Sequence, residues 1–175
     1  KTIVTKIVKA EEAKRLFDHT RKIIENNHQV AIVYPIVNDP EQEKKSVTAA
    51  LETWEKHFPG QVAMIHGQMK EDEKLAAIDS LKRGKHKIAI VSTVIEIGLN
   101  LPSLRSLIVV NAEYYGTSTL HQLRGRVARL GGTGYFFLFL PETISEDSMK
   151  RLNLLEKYAD GFTLSEQDAE LRGYG

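Results

Sequence analysis

The sequence predicts an α/β domain of three layers with a mostly parallel sheet in the middle. Short apolar runs alternate with amphipathic stretches along the chain. The intervening stretches reach ten or more residues, long enough for crossover connections between parallel strands. At least one run, Gln29 to Val37, is almost continuously apolar. That is the pattern of a strand buried on both faces.

The elements follow in order. Ala13, Leu16, Phe17, Thr20, Ile23 and Ile24 recur at three-and-four spacing, so residues 10–26 are expected to form an amphipathic helix. After the strand from Gln29 come Val47, Ala50, Leu51, Trp54 and Phe58, a second helix closed by Pro59-Gly60. Val62 to Ile65 reads as a strand. Glu71-Asp72-Glu73 opens a third helix with acids where the helix dipole favours them. Leu75, Ile78 and Leu81 line its inner face, and Gly84 stops it. Strands are expected at Lys87–Ser92 and Ser106–Asn111, a helix at Thr117–Leu130, a turn at 131–134 and a strand at Tyr135–Leu140. From Ser145 the pattern is helical again, with Met149, Leu152 and Leu155 in register, so residues 141–175 read as a helical extension.

Bulk properties narrow the function classes. With 175 residues, 42 % hydrophobic and 27 % charged, the chain suits one well-packed domain. A net charge of only +1 means that any basic surface is local. No apolar stretch is long enough to span a membrane. The start carries no signal-peptide pattern, since Lys1 to Ala13 alternates charge with single apolar residues. Cysteine is absent, which removes disulfides and thiolate metal sites and fits a reducing cytoplasm. The six histidines show no metal-ligand spacing. A first residue that is lysine and an ending at Leu171-Arg172-Gly173-Tyr174-Gly175 read like a piece of something longer.

Ligands of parallel sheets bind beyond the carboxyl ends of the strands, so the segments after each strand are the ones to inspect. The most informative element is nevertheless a helix. On the expected helix 117–130, Leu120, Leu123, Val127 and Leu130 share one side, whereas Gln122, Arg126 and Arg129 cluster on another beside Gly125. Arg124 lies off that face. Paired guanidiniums suit bidentate phosphate recognition and charge at a transferring phosphoryl group. A lone arginine pair is more often an ordinary solvated basic face.

The surrounding residues decide between those readings. His121-Gln122-Leu123-Arg124-Gly125-Arg126-Val127-Ala128-Arg129 resembles the sixth motif, Q-x-x-G-R-x-x-R, of the helicase superfamily that includes the DEAD-box and RecG-like proteins. Val91-Ser92-Thr93-Val94-Ile95-Glu96-Ile97-Gly98-Leu99-Asn100-Leu101-Pro102 resembles the fifth, just past a strand. There Thr93 can donate to a phosphate and Gly98 permits close backbone approach. Alone, that segment is equally a strand-to-loop transition. His66-Gly67-Gln68-Met69 is similar to the H-G segment that contacts the nucleic-acid backbone, and Tyr34-Pro35-Ile36-Val37 holds the place of the fourth motif. By themselves the first could be a simple turn and the second is a core strand in any case.

In this order the motifs resemble the second RecA-like motor domain of a helicase, and within that group the RecG family. The Tyr-Pro-Ile-Val strand, the Val-Ile-Glu-Ile-Gly form of the fifth motif, and Asp160-Gly161-Phe162 leading to Leu171-Arg172-Gly173 favour that family. The transcription-repair coupling factor is the nearest competitor.

The resemblance implies a RecA-like, P-loop NTPase-type fold over 1–140. It makes 141–175 the truncated start of a helical-hairpin translocation element. It implies catalytic parts for Gln122, Arg126 and Arg129, nucleotide contacts for Gly98, Asn100 and Gly125, and nucleic-acid contacts for His66, Gly67, Ser92 and Thr93. The implied activity is that of an ATP-dependent DNA helicase or translocase that remodels forks and junctions in repair and recombination. Branched or duplex DNA and the parent's first motor and DNA-wedge domains are the expected partners, and a cytoplasmic monomer is the expected state.

Two positions depart from the family pattern. Asn100 stands for the usual aspartate. Ala128 replaces the usual glycine, and helical geometry turns its methyl to the side.

No P-loop G-x-x-x-x-G-K-[S/T] is present, because the one Gly-Lys pair, Gly84-Lys85, follows a helix and precedes His86. No acidic motif after an apolar strand offers to hold Mg²⁺. Both ATP and Mg²⁺ are therefore expected on a first motor domain encoded before Lys1, and the fragment alone is expected to be inactive. Two other classes compete: a non-hydrolysing nucleic-acid-binding module, and an unrelated α/β nucleotide enzyme.

Overall fold

The computed structural model describes residues 1–35, 39–92 and 100–158. Six strands form one sheet, β1 (Thr2–Lys9), β2 (Gln29–Val33), β3 (Val62–Ile65), β4 (Ile88–Val91), β5 (Leu104–Val110) and β6 (Thr133–Leu140). Their order is β1-β6-β5-β2-β4-β3, and every pairing is parallel. The helices are α1 (Ala13–Glu25), α2 (Pro40–His57), α3 (Glu71–Lys82), α4 (Thr117–Arg124) and α5 (Glu146–Lys157).

Each strand alternates its side chains between two cores. Val30, Ile32, Ile88, Ile90, Ile108 and Phe137 face α1 and α2, where Leu16, Ile23, Val47, Trp54 and Phe58 cover them. Ala31, Val33, Val91, Leu107, Phe136 and Leu138 face the other way, under Leu81 of α3, Leu120 and Leu123 of α4, and Leu152 and Leu155 of α5. Burial on both faces is the physical reason the central strands read as unbroken apolar runs.

The structure moves several boundaries. Helix α2 starts at Pro40, seven residues before Val47, because Asp39 caps it by accepting from the Glu41 N–H at 3.0 Å and Pro40 suits the first turn. Its charged first turns hide the apolar period. Helix α3 ends as expected, with Gly84 at φ +74°. Helix α5 is capped by Ser145, whose Oγ accepts from the Ser148 N–H at 3.1 Å, and it shares the core of the sheet.

Strand β1 has no counterpart in the sequence-based elements. It runs along the edge beside β6, from Thr2↔Thr133 to Lys9↔Leu140. Lys6 and Lys9 are exposed there, and the Glu156 carboxylate accepts from the Ile7 N–H at 2.7 Å. Lysines and a capping acid are ways an edge strand avoids further pairing.

Beneath α1, His19 Nε2 and Ser106 Oγ are hydrogen-bonded at 3.1 Å, and the imidazole meets Tyr135 and Phe137 edge-on. Burial, aided by Lys22, lowers its pKa from 6.5 to about 4. The folded state therefore resists a proton that the unfolded chain accepts. His19 contributes stability that is complete above pH 6.5 and lost as the pH falls toward 4. His28 and His66 shift in the same direction. Thermal unfolding at pH 7 and pH 5 is expected to show a smaller drop for His19→Gln than for wild type; equal drops would assign the acid sensitivity to other groups.

Candidate functional site

The arginine segment is not a continuous helix. Helix α4 stops at Arg124, and residues 125–130 continue as turns. The Arg126 N–H donates to Leu123 O and the Val127 N–H to Arg124 O, both three residues back. The chain leaves the helix because consecutive residues Val127 and Ala128 are both pulled into the core. There the Ala128 N–H donates to Leu104 O at 2.9 Å, the first residue of β5. Leu130, expected on the buried side, is 81 % exposed.

Ala128 takes φ +52°. Its left-handed backbone, not a sideways methyl, is the reason glycine suits this position, and an L-residue there costs about 1–2 kcal/mol. Arg126 and Arg129 consequently share no helical face. They are presented by one loop, Arg126 half-buried and Arg129 exposed.

Asn100 meets this loop, its Oδ1 accepting from Arg129 NH1 at 2.8 Å. Gly125 is exposed, and its carbonyl accepts from Lys1 Nζ at 2.9 Å. Gln122 is exposed on the last turn of α4. The loop sits at the amino ends of the strands, since the Thr2 N–H donates to Gly132 O and Gln29 pairs with Ser103 there. The arginines therefore lie at the end of the sheet opposite to the one that parallel-sheet logic singles out.

Arg124 is a structural residue that the sequence reading passed over. It is 5 % exposed and donates to Leu155 O at 2.7 Å, to Tyr158 O at 3.1 Å and to Thr5 Oγ1 at 3.3 Å. Burial lowers its pKa. A cation at the last carbonyls of α5 complements that helix's dipole. It ties the base of the arginine loop to α5 and to the edge strand.

The second group of candidates lies past the carboxyl ends of β3 and β4. His66 and Ser92 are buried, and Gly67 is exposed. The Gln68 N–H donates to His66 Nδ1 at 3.1 Å. Burial lowers the His66 pKa, more than the Glu43 carboxylate raises it, and Lys44 and Lys74 lower it further. The Ser92 hydroxyl donates to Glu43 Oε1 at 2.5 Å, and the Gly67 N–H donates to the same oxygen at 3.3 Å. Glu43 was not among the sequence candidates. Its signal is the stripe Glu43, Val47, Ala50 and Trp54, an acid in line with buried apolar positions once α2 is known to start at Pro40. Thr93 and Gly98, with Ile36 and Val37 of the fourth motif, lie outside the described residues.

The two groups are separated by the length of the strands, five residues in β2, or roughly 15 Å at the usual rise. Among the described residues, no three His, Asp or Glu side chains are grouped to hold a metal ion. None of the described helices is long and apolar enough to cross a membrane.

Residues 11–131 match the helicase conserved C-terminal domain, a span that includes both ends of the sheet. The chain belongs to that family. It is 34 % identical over 180 residues to the ATP-dependent DNA helicase RecG of Aquifex aeolicus, covering 100 % of this chain and 23 % of that protein. It is 38 % identical over 165 residues to the chloroplastic/mitochondrial RecG homolog of Arabidopsis thaliana, covering 93 % and 17 %. The chain thus spans about a quarter or less of the curated relatives it matches.

A structure of RecG bound to a three-way DNA junction superposes over 100 % of this chain and 23 % of that one, with TM-score 0.82 and 30 % identity. The C-terminal domain of the DEAD-box protein Dbp5 superposes with TM-score 0.58 at 17 % identity, covering 87 % and 83 %, a likeness of fold. The RecA-like helicase C-terminal fold expected from the motifs is the one this family has.

Proposed function

We propose that this chain is the second motor domain of an ATP-dependent DNA helicase or translocase of the RecG kind, acting on forks and junctions. The observation that carries the reading is the division of the candidate residues between the two ends of one sheet. Arg126 and Arg129 stand at one end, and His66, Gly67 and Ser92 at the other.

In this reading Arg126 and Arg129 reach across a cleft toward ATP and Mg²⁺ held by a first motor domain of the same parent polypeptide. The donor set fits a polyphosphate. Among the described residues Arg129 is held by a neutral amide, and no carboxylate pairs with either guanidinium. Guanidiniums of this kind can bind phosphate oxygens bidentately and stabilise charge on a transferring phosphoryl group. Bound ATP supplies the transferable phosphoryl group. Gln122, Asn100 and Gly125 border the same cleft, and Gly98 keeps the nucleotide-contact role that the fifth motif implies.

Cleft closure carries the sheet as one body, so the loops after β3 and β4 shift along the DNA backbone. Residues 141–175 begin a helical-hairpin element that rides on this motion through α5. The parent works as a cytoplasmic monomer with a DNA-wedge domain.

A polypeptide joining this chain to a P-loop-bearing first motor domain is expected to hydrolyse ATP in response to branched DNA, and the 175-residue chain alone is expected not to. Hydrolysis by the chain alone would overturn the division of labour.

A further inference from the structure

We propose that Glu43 is a positioning residue that ties the exits of β3 and β4, at Gly67 and Ser92, to each other at the DNA-facing end of this domain. The proposal rests on the reading of the carboxyl ends of β3 and β4 as the DNA-binding end.

Three observations carry it. Strands β3 and β4 are parallel neighbours with Ile65 opposite Val91, so the chain leaves the sheet at His66 and at Ser92 side by side. A third segment, the first turns of α2, brings Glu43, 6 % exposed as a residue, over both exits. One oxygen of that carboxylate accepts from the Ser92 hydroxyl at 2.5 Å and from the Gly67 amide at 3.3 Å. Ser92 is 1 % exposed, so its hydroxyl is committed to Glu43 and not offered to a phosphate. Its part in gripping DNA is to fix the exit of β4, from which Thr93 follows.

The electrostatics point the same way. A carboxylate beside a phosphate-binding surface repels its ligand. Lys44 and Lys74 are close enough to act on His66 and supply attraction, against which Glu73 acts as Glu43 does. If Glu43 were a bystander, removing its charge would tighten DNA binding. If it sets the loops, removing its acceptor oxygen weakens binding although a repulsive charge has gone. Glutamine separates the two effects, because its amide oxygen can accept both bonds while carrying no charge.

The experiment measures fluorescence anisotropy of a short mixed-sequence DNA duplex against the 175-residue chain across a salt series. Circular dichroism confirms that each variant is folded. Glu43→Ala is expected to weaken binding about tenfold and to lower the slope of log affinity against log salt by about one, as one phosphate contact is lost. Glu43→Gln is expected to bind as tightly as wild type or more tightly. Glu43→Ala binding equal to or tighter than wild type overturns the proposal. So does weakening by Glu43→Gln equal to that by Glu43→Ala.

Ser92→Ala withdraws the same bond from the other side and carries the test if Glu43→Ala does not fold. It is expected to weaken binding, and unchanged affinity overturns the proposal. His66→Ala distinguishes the two levels. If it binds as wild type does, DNA does not lie on this end of the sheet, and the proposal falls with the reading beneath it. If it binds more weakly while Glu43→Ala does not, the DNA site stands and the role of Glu43 alone is refuted.

Discussion

Arg126→Ala is expected to lower ATP turnover about a thousandfold in a polypeptide carrying both motor halves, the low end of what an arginine aimed at a transferring phosphoryl group contributes. Arg126 follows immediately on the glycine that ends α4 and is half-buried, so its guanidinium leaves the loop from a fixed base. That base is secured by the bond from Arg124 to Leu155 O of α5 and by the Ala128 bond to Leu104. Stability is expected to change little, because no described side-chain bond of the fold uses Arg126.

Arg129→Ala is expected to cost less. Arg129 is exposed and, among the described residues, rests on Asn100, a neutral partner that leaves its charge uncancelled. The aspartate usual in the family at position 100 would offer an ion pair there. Turnover is the readout to compare, with the DNA concentration for half-maximal stimulation as its internal control. That concentration is expected to be unchanged, because the residues proposed to bind DNA, His66 and Gly67, lie at the other end of the sheet. Turnover within tenfold of wild type after Arg126→Ala would remove this residue from the chemistry.

What the sequence showed and what it hid follow from burial. Strands β2 to β6 are legible because two covered faces demand continuous apolar runs. Strand β1 is not, because an edge strand needs only intermittent apolar contacts and tolerates lysine at positions 6 and 9. The helical period after Thr117 runs on through Val127 and Leu130 by coincidence of spacing. Only tertiary structure reveals that burying Val127 and Ala128 together requires a turn, and that Ala128 takes a left-handed backbone. The identity of the arginines was therefore readable, but their geometry was not. Glu43 was hidden for a different reason. A glutamate among Glu41, Gln42, Lys44 and Lys45 reads as solvated surface until the start of α2 is known.

Gly134→Ala is expected to destabilise the fold by about 3 kcal/mol, the upper part of the range for overpacking. The backbone at Gly134 is ordinary strand, paired with Ile3 of β1, so conformational freedom is not what the position needs. Space is. A Cβ there would stand 2.5 Å from Val127 Cγ1, 2.9 Å from Ala128 Cβ and 3.1 Å from Ile3 Cδ1. Ile3 can turn aside at the edge of the sheet. Val127 cannot do so easily, since it is fully buried and β-branched. Ala128 has no rotamer to change and is tethered to Leu104. The added methyl must therefore push the 127–128 segment off β6, and Arg126 and Arg129 flank that segment.

Urea unfolding reads the stability loss, and turnover at a temperature where the variant remains folded reads the displacement. Adding Val127→Ala to Gly134→Ala removes the shortest contact, so the pair is expected to be less unstable than the sum of the single changes. A Gly134→Ala protein within 0.5 kcal/mol of wild type would mean that the loop yields without cost, and that β6 does not hold the arginines in place.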